Sequence, residues 1–233
     1  MMKPTDHGKT IQAMFSGIAG RYDLVNRLMT LGRDAAWRRS VVIAAGLPPG
    51  GRLLDIGTGT GAIATEALGR DPAATAVGAD FTIDMMRAGK SGDLGRRILW
   101  CAADAVGLPF ADNTFDAVTS GYLIRNVTDP LAAFGEQVRV VRPGGRVVCL
   151  DTSPPPKNLI YPCLTFFLSR VIPFLGERIS GDRDAYTYLP ESTRKFMSPE
   201  TLARVMARAG MIQIRYQGFM FGTMCVHQGT KPK

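Results

Sequence analysis

The sequence predicts an α/β domain: a mostly parallel, seven-stranded sheet of Rossmann-like winding that ends in an antiparallel hairpin and is preceded by a helical N-terminal lid. Three observations carry this prediction. From Arg52 onward, short apolar runs alternate with helical patterns, which is how a chain lays parallel strands with helices on both faces. The first of these runs ends directly in a glycine-rich turn, Gly57 to Gly61. Near the C-terminus a sharply bounded helix is followed by two strand-like runs that meet around Gly218 to Gly222.

The N-terminal stretch KTIQAMFSGIAGRYDLVNRLMTLG carries apolar residues at roughly helical spacing and stops at Gly32. The run DAAWRRSVVIAAG reads as a second helix, with Asp34 as its cap and Gly46 as its end. LPPGG then breaks the chain. The strands follow as RLLDIG, TAVGAD, RILWCAA, FDAVTSGY and GRVVCLDTS. Helical segments fall between them at TGAIATEALGRD, TIDMMRAG and LAAFGEQVRVV. In SPETLARVMARAG, Ser198 is placed to cap, Pro199 suits the first helical position, and Gly210 lies past the end. MIQIRYQGF and MFGTMCVHQG supply the closing hairpin. Residues 154–197 fit neither rhythm; they read as an insertion after a strand's C-terminal end, where α/β domains build substrate pockets.

With 233 residues, 45% hydrophobic and 21% charged, the chain has the composition of one soluble globular domain. Its four cysteines lie far apart without metal-ligand spacing, so they are expected to be buried reduced thiols of a cytoplasmic protein, and no metal site is expected. The N-terminus is polar where a secretory leader would be apolar. No apolar run reaches the ~20 residues of a membrane span; the nearest, Tyr161 to Leu175, carries Arg170, Pro162 and Pro173. The net charge of +8 suits an anionic partner, but the arginines are dispersed and lack stacking aromatics, which argues against nucleic acid.

A glycine-rich turn between a strand and a helix brings bare backbone and a helix N-terminus against a ligand. Gly57, Gly59 and Ala62 satisfy a dinucleotide fingerprint only loosely. Three further features point elsewhere. Asp55 precedes the glycines, and the series continues through Thr60 to Gly61. Asp80, at the end of the second strand and followed by Phe81, stands where a carboxylate grips the two hydroxyls of a ribose. Asp104 and Ala105, after the third strand, suit an adenine's exocyclic amine, and Gly121 closes the fourth strand. Taken together, D-x-G-x-G-x-G with Asp80 and Asp104 resembles the S-adenosyl-L-methionine (SAM) site of class I methyltransferases. The fourth strand continues as TSGYLIRN, so the N/D-P-P-Y turn of enzymes that methylate the amino groups of bases is missing.

Four blocks make a more specific resemblance. MFSGIAGRYDLVNRLMTLGRDAAWRR, GYLIRNVTD, RVVRPGGRVVCLDTS and ISGDRDAYTYLPESTRKFMSPETL are similar, in order and spacing, to the quinone C-methyltransferases of menaquinone and ubiquinone biosynthesis. The resemblance spans Phe15 to about Lys231. It departs at Ala62, where the family usually has Asp, and at Val25, Thr30 and Asp34, where Met, Ser and often His are favoured. It departs again at Tyr122-Leu123-Ile124 and at Asp151-Thr152-Ser153, in place of Phe-Gly-Leu/Ile and Glu-Phe-Ser. The resemblance implies one methyltransferase domain, residues 1–233. Within it, lid helices would occupy 8–46, the SAM-binding core 51–153, a substrate- or membrane-facing insertion 154–197, and the C-terminal helix and hairpin 198–229.

The implied substrate is a polyprenylated quinol. Ring-carbon methylation needs an electron-rich ring, so the reduced hydroquinone is the expected acceptor, with a phenolate directing its ortho carbon at the methyl. Arg125 and Asn126 match the family's Arg-Asn and are expected at the substrate oxygen, Arg125 as a permanently charged oxyanion stabiliser. Asp151 and Tyr22 are further candidates for handling the proton; His227 reads as structural. The Tyr161–Leu175 segment with its flanking arginines is expected either at an anionic membrane surface, on the cytoplasmic side, or buried over the sheet or in a homodimer contact. A methyltransferase for another lipid or a phenolic or polyketide molecule, and a non-catalytic SAM-binding partner protein, remain open alternatives.

Overall fold

The computed structural model describes residues 13–17, 24, 26–27, 30, 32–171, 173–174, 188 and 191–233. The sheet is seven-stranded, with order β3-β2-β1-β4-β5-β7-β6. Its strands are β1 (Arg52–Ile56), β2 (Thr75–Asp80), β3 (Leu99–Ala102), β4 (Phe115–Gly121), β5 (Val141–Thr152), β6 (Ile212–Phe219) and β7 (Met224–Thr230). The first five pair in parallel, and β7 runs antiparallel to both β5 and β6. Strand order reverses between β1 and β4, and the crevice beyond that reversal is where an open α/β sheet receives a ligand.

The helices are α1 (Asp34–Ala45), α2 (Ala62–Arg70), α3 (Ile83–Gly89), α4 (Pro130–Val140), α5 (Tyr161–Phe166) and α6 (Pro199–Arg208). Alternation along the strands divides the core in two. Leu54, Ile56, Val118, Val147 and Cys149 face α4 and α6, meeting Phe134, Leu202 and Met206. Leu53, Ala117, Val148 and Leu150 face the other way, against Trp37 and Val41 of α1 and Ile63 of α2. Each central strand is therefore buried on both faces, which accounts for the apolar runs from which it was read.

The local signals of α6 act as expected: the Ser198 hydroxyl accepts from Thr201 N–H, Pro199 opens the helix, and Gly210 turns left-handed at φ +98°. Other expectations need correction. Asp34 is the first residue of α1 and not its cap, because Arg33 already has helical dihedrals; the carboxylate instead meets the Thr30 hydroxyl and Arg38. Strand β5 begins four residues earlier than Gly145, since Val141 pairs with Phe115 before the ladder shifts register around Pro143 to Gly145. The cysteines are free, but only Cys149 and Cys225 are buried; Cys101 is half-buried and Cys163 is exposed on α5. Of the expected lid, the second helix is α1, whereas most of the first stretch, 9–32, lies outside the described residues; 13–17 are helical, and Gly32 has φ +72°.

Candidate functional site

Strand β1 delivers the chain into the turn that predicted a ligand. Gly57 and Gly61 adopt φ +62° and +80°, a region open to glycine at little cost. Side chains would also be blocked there: a Cβ on Gly57 would come within 2.9 Å of the Leu123 side chain, and one on Gly61 within 2.7 Å of Trp100. The turn is tied to β2 through Thr58 N–H and the Ala79 carbonyl (3.1 Å) and returns into α2 through Gly61 N–H and the Thr58 carbonyl (2.8 Å). Bare backbone thus forms the floor of a cleft.

Two recesses share this floor of Gly57, Gly59, Gly121 and Tyr122. The first is walled by Asp80, Phe81, Thr82, Met85 and Phe15. Asp80 accepts from Gly59 N–H (2.8 Å) with one carboxylate oxygen and from Thr82 N–H (2.7 Å) with the other. These bonds hold both carboxylate oxygens in place at the wall of the recess. Burial holds the Asp80 carboxyl above the usual carboxylate range. The second recess is walled by Asn26, Asp34, Arg38, Asp55, Thr60 and Ala62. Asp55 is fully buried and accepts from the hydroxyls of Thr58 (2.7 Å) and Thr119 (2.8 Å). Desolvation outweighs those bonds and pushes its pKa up to about 6.

The turn after β4 gathers a polar cluster against the same floor. Tyr122 sits at φ +59°, strained for an aromatic residue and locked by its N–H to the Leu150 carbonyl (2.7 Å). Its ring lies under the Arg125 guanidinium, 5.3 Å from centroid to Cζ. Asp151, at the end of β5, accepts from Arg125 Nη1 (2.5 Å), Arg125 N–H (3.1 Å) and Thr152 N–H (2.8 Å). The ion pair is closed off, with side chains 4% and 1% exposed. Asn126 lines the first recess; its amide donates to the Tyr122 carbonyl (3.0 Å) and accepts from the Tyr188 hydroxyl (3.0 Å). Burial raises the Tyr188 pKa, and Arg125 opposes that rise.

The expected residues are therefore brought together unevenly. Asp55, Gly57, Gly59, Thr60, Asp80, Phe81, Gly121 and Asn126 converge on the cleft, and Gly61 anchors its turn. Arg125 and Asp151 stand behind it as a buried pair. Asp104 is exposed in the turn beyond β3, accepting from Val106 N–H (3.1 Å), and Ala105 packs into the core, so neither walls the described recesses. Tyr22 lies outside the described residues. His227 is buried with its Nε2 3.0 Å from the Pro199 carbonyl, away from the cleft. Sequence reading missed Tyr188, which comes from the insertion, and Arg38, in the WRR run of α1. Nothing in a single sequence marks a tyrosine 62 positions away as the partner of Asn126.

A bare-backbone cradle, a carboxylate fixed beside it, and an aromatic residue next in sequence fit the SAM that the motifs imply. Comparison with known proteins agrees. Residues 2–231 match the model of the ubiE/COQ5 methyltransferase family. Over 96% of this chain and 91% of its own length, a Desulfotalea psychrophila protein named ubiquinone/menaquinone biosynthesis C-methyltransferase UbiE is 49% identical. A Thermus thermophilus demethylmenaquinone methyltransferase is 45% identical over 94% of this chain and its entire length. Among solved structures, a SAM-dependent methyltransferase from Thermotoga maritima superimposes with TM-score 0.64 at 20% identity, covering 94% of this chain and 99% of its own. The [4+2]-cyclase SpnF reaches 0.70 at 16% identity, covering 100% and 98%. These two likenesses establish the fold alone, and a cyclase among them illustrates why the site has to carry the chemistry.

Proposed function

Because the chain belongs to the ubiE/COQ5 methyltransferase family and is a SAM-dependent methyltransferase, we propose that it methylates a ring carbon of a polyprenylated hydroquinone: the demethylated precursor of menaquinone, the corresponding ubiquinone precursor, or both. The observation that carries this reading is the cluster of Tyr122, Arg125, Asn126 and Tyr188 at the edge of the glycine-floored cleft. A phenolic oxygen held there needs a hydrogen-bond donor and a nearby positive charge, and the ring carbon beside it must meet the methyl in line.

Bound SAM would supply the electrophilic methyl. Gly57, Gly59 and Gly121 leave room for its sulfonium end, and Asp80 would hold the ribose. Asn126 meets the acceptor oxygen: one amide N–H is spent on the Tyr122 carbonyl, and the other is left for a ligand in the recess that the residue lines. Tyr188 fixes which way that amide points. Arg125 acts from behind, its charge favouring the phenolate over the phenol. Asp151, already accepting three hydrogen bonds, is assigned to holding Arg125 in place, and water receives the phenolic proton.

The 159–174 segment suits a membrane-borne substrate. Leu159, Tyr161, Phe166 and Phe174 are exposed large hydrophobics, and the exposed Arg170 lies among them. We assign this face to reversible contact with anionic lipid, where a prenyl tail resides. Among the described residues no helix is long and apolar enough to cross a membrane. The test is incubation with SAM and a panel of reduced quinols, demethylmenaquinol first, following product mass. A gain of one methyl on a quinol is expected. Turnover confined to a tail-less phenolic compound or to another lipid would overturn the assignment.

A further inference from the structure

The two recesses divide an elongated ligand between them. If the ribose lies at Asp80, the amino-acid end of the cofactor must cross Gly57 and Gly121 into the second recess, which Asp34, Arg38 and Ala62 enclose. That end carries a carboxylate, and a carboxylate leaving water needs a positive partner. Among the described residues that wall either recess, Arg38 is the one cation; the charged groups beside it, Asp34 and Asp55, are acids.

We propose that Arg38 binds the α-carboxylate of the cofactor's methionine moiety and that Asp34 is its positioning residue. The inference rests on the glycine cleft being the SAM site. Asp34 is 5% exposed and lies one helical turn before Arg38 on α1, so their ion pair runs along the helix. The Thr30 hydroxyl, which also meets the Asn26 carbonyl (2.8 Å), lies 3.1 Å from the other Asp34 oxygen. With one amino group of the fork engaged, the remaining guanidinium N–H groups are left for a ligand. The Arg38 side chain is still 24% exposed, and it borders both this recess and the groove between α1 and α2. A fork of N–H donors matches a carboxylate in two-point geometry, which a lysine's single ammonium does not. Ala62 completes the arrangement. As the first residue of α2 it puts only a methyl group into this wall and leaves the recess open beside Arg38. Arg38 therefore ties the start of α1 to cofactor occupancy, and it selects the amino-acid end of the ligand and not its nucleoside.

The test is calorimetric binding, independent of turnover. Two ligands are compared: S-adenosylhomocysteine, which has the carboxylate, and 5′-methylthioadenosine, which lacks the amino-acid group. Arg38→Gln should bind S-adenosylhomocysteine roughly 10- to 100-fold more weakly, the range expected when a charge-assisted pair is lost, and should bind 5′-methylthioadenosine as the unaltered protein does. Arg38→Lys should fall between. Undiminished binding of S-adenosylhomocysteine by Arg38→Gln would overturn the proposal, and so would an equal loss for both ligands, which would mark a general disturbance of the cleft. Failure of the unaltered protein to bind either ligand would instead refute the cofactor site itself, and the proposal with it.

Discussion

The buried carboxyl of Asp55 makes the strongest quantitative prediction. It lies in the cleft wall with its pKa pushed up to about 6 by desolvation, and Asp80, also raised, faces the adjoining recess. Both SAM and S-adenosylhomocysteine bring an ammonium group into this cleft, and SAM adds a sulfonium. A cation favours the ionised carboxylate, so binding should expel a proton. A group of pKa about 6 is roughly nine-tenths protonated at pH 5 and one-tenth at pH 7, so SAM affinity should fall about tenfold, or ~1.4 kcal/mol, between pH 7 and pH 5. The sign for folding is separate. A folded pKa above the unfolded value of 3.8 means that Asp55 contributes stability present below about 3.8 and lost as pH rises through about 6. Neutral pH therefore leaves this carboxylate strained in the free protein, and a cationic ligand relieves the strain. Calorimetry at pH 6 in two buffers of unlike ionisation enthalpy should register proton release. Asp55→Asn should flatten the pH dependence, with Asp80 supplying what remains. Constant affinity from pH 5 to 7, or proton uptake on binding, would refute the reasoning.

Three other outcomes follow from the geometry. Arg125→Ala leaves Asp151 as an unpaired buried charge and should cost about 3–5 kcal/mol in denaturant unfolding; adding Asp151→Asn should recover part of the stability without restoring turnover, while SAM affinity stays near that of the unaltered protein. Tyr188→Phe removes one hydrogen bond, worth about 1 kcal/mol, and should raise the acceptor KM several-fold with cofactor affinity unchanged; an equal loss of cofactor affinity would remove Tyr188 from the acceptor side. In liposome flotation, the protein should float with anionic vesicles at low salt and release at high salt, and Phe166→Ser with Phe174→Ser should weaken flotation at low salt; no flotation at either salt concentration would defeat the membrane assignment.

Much of the fold was legible because its signals are local. Ser198-Pro199 and Gly210 bound α6 by satisfying backbone groups within one turn, and the two-sided burial of β1, β2 and β4 writes itself into continuous apolar runs. The misreadings share a cause. Asp34 was a sound cap by type, but the dihedrals of Arg33 and the proximity of Arg38 gave its carboxylate another partner. Cys163 lies in an apolar run, yet its helix turns it outward while its neighbour Leu164 takes the buried side.

The residues alone determined the glycine turn, the acidic residue beside it and the alternation that builds the sheet. Each depends on neighbours a few positions away, and on the conformational freedom of glycine. Tertiary structure decided what no spacing could. It placed Asp151 against Arg125 across 26 positions and Tyr188 against Asn126 across 62, and it withdrew Asp104 from the walls of the cleft. It also set the Asp55 carboxyl in so dry a position that its proton is held to about pH 6. Burial and long-range pairing are products of the folded sheet order, in which β1 lies between β2 and β4, and β5 between β4 and β7. A side chain's type names the chemistry open to it; the strands and turns that close around it select which part of that chemistry is used.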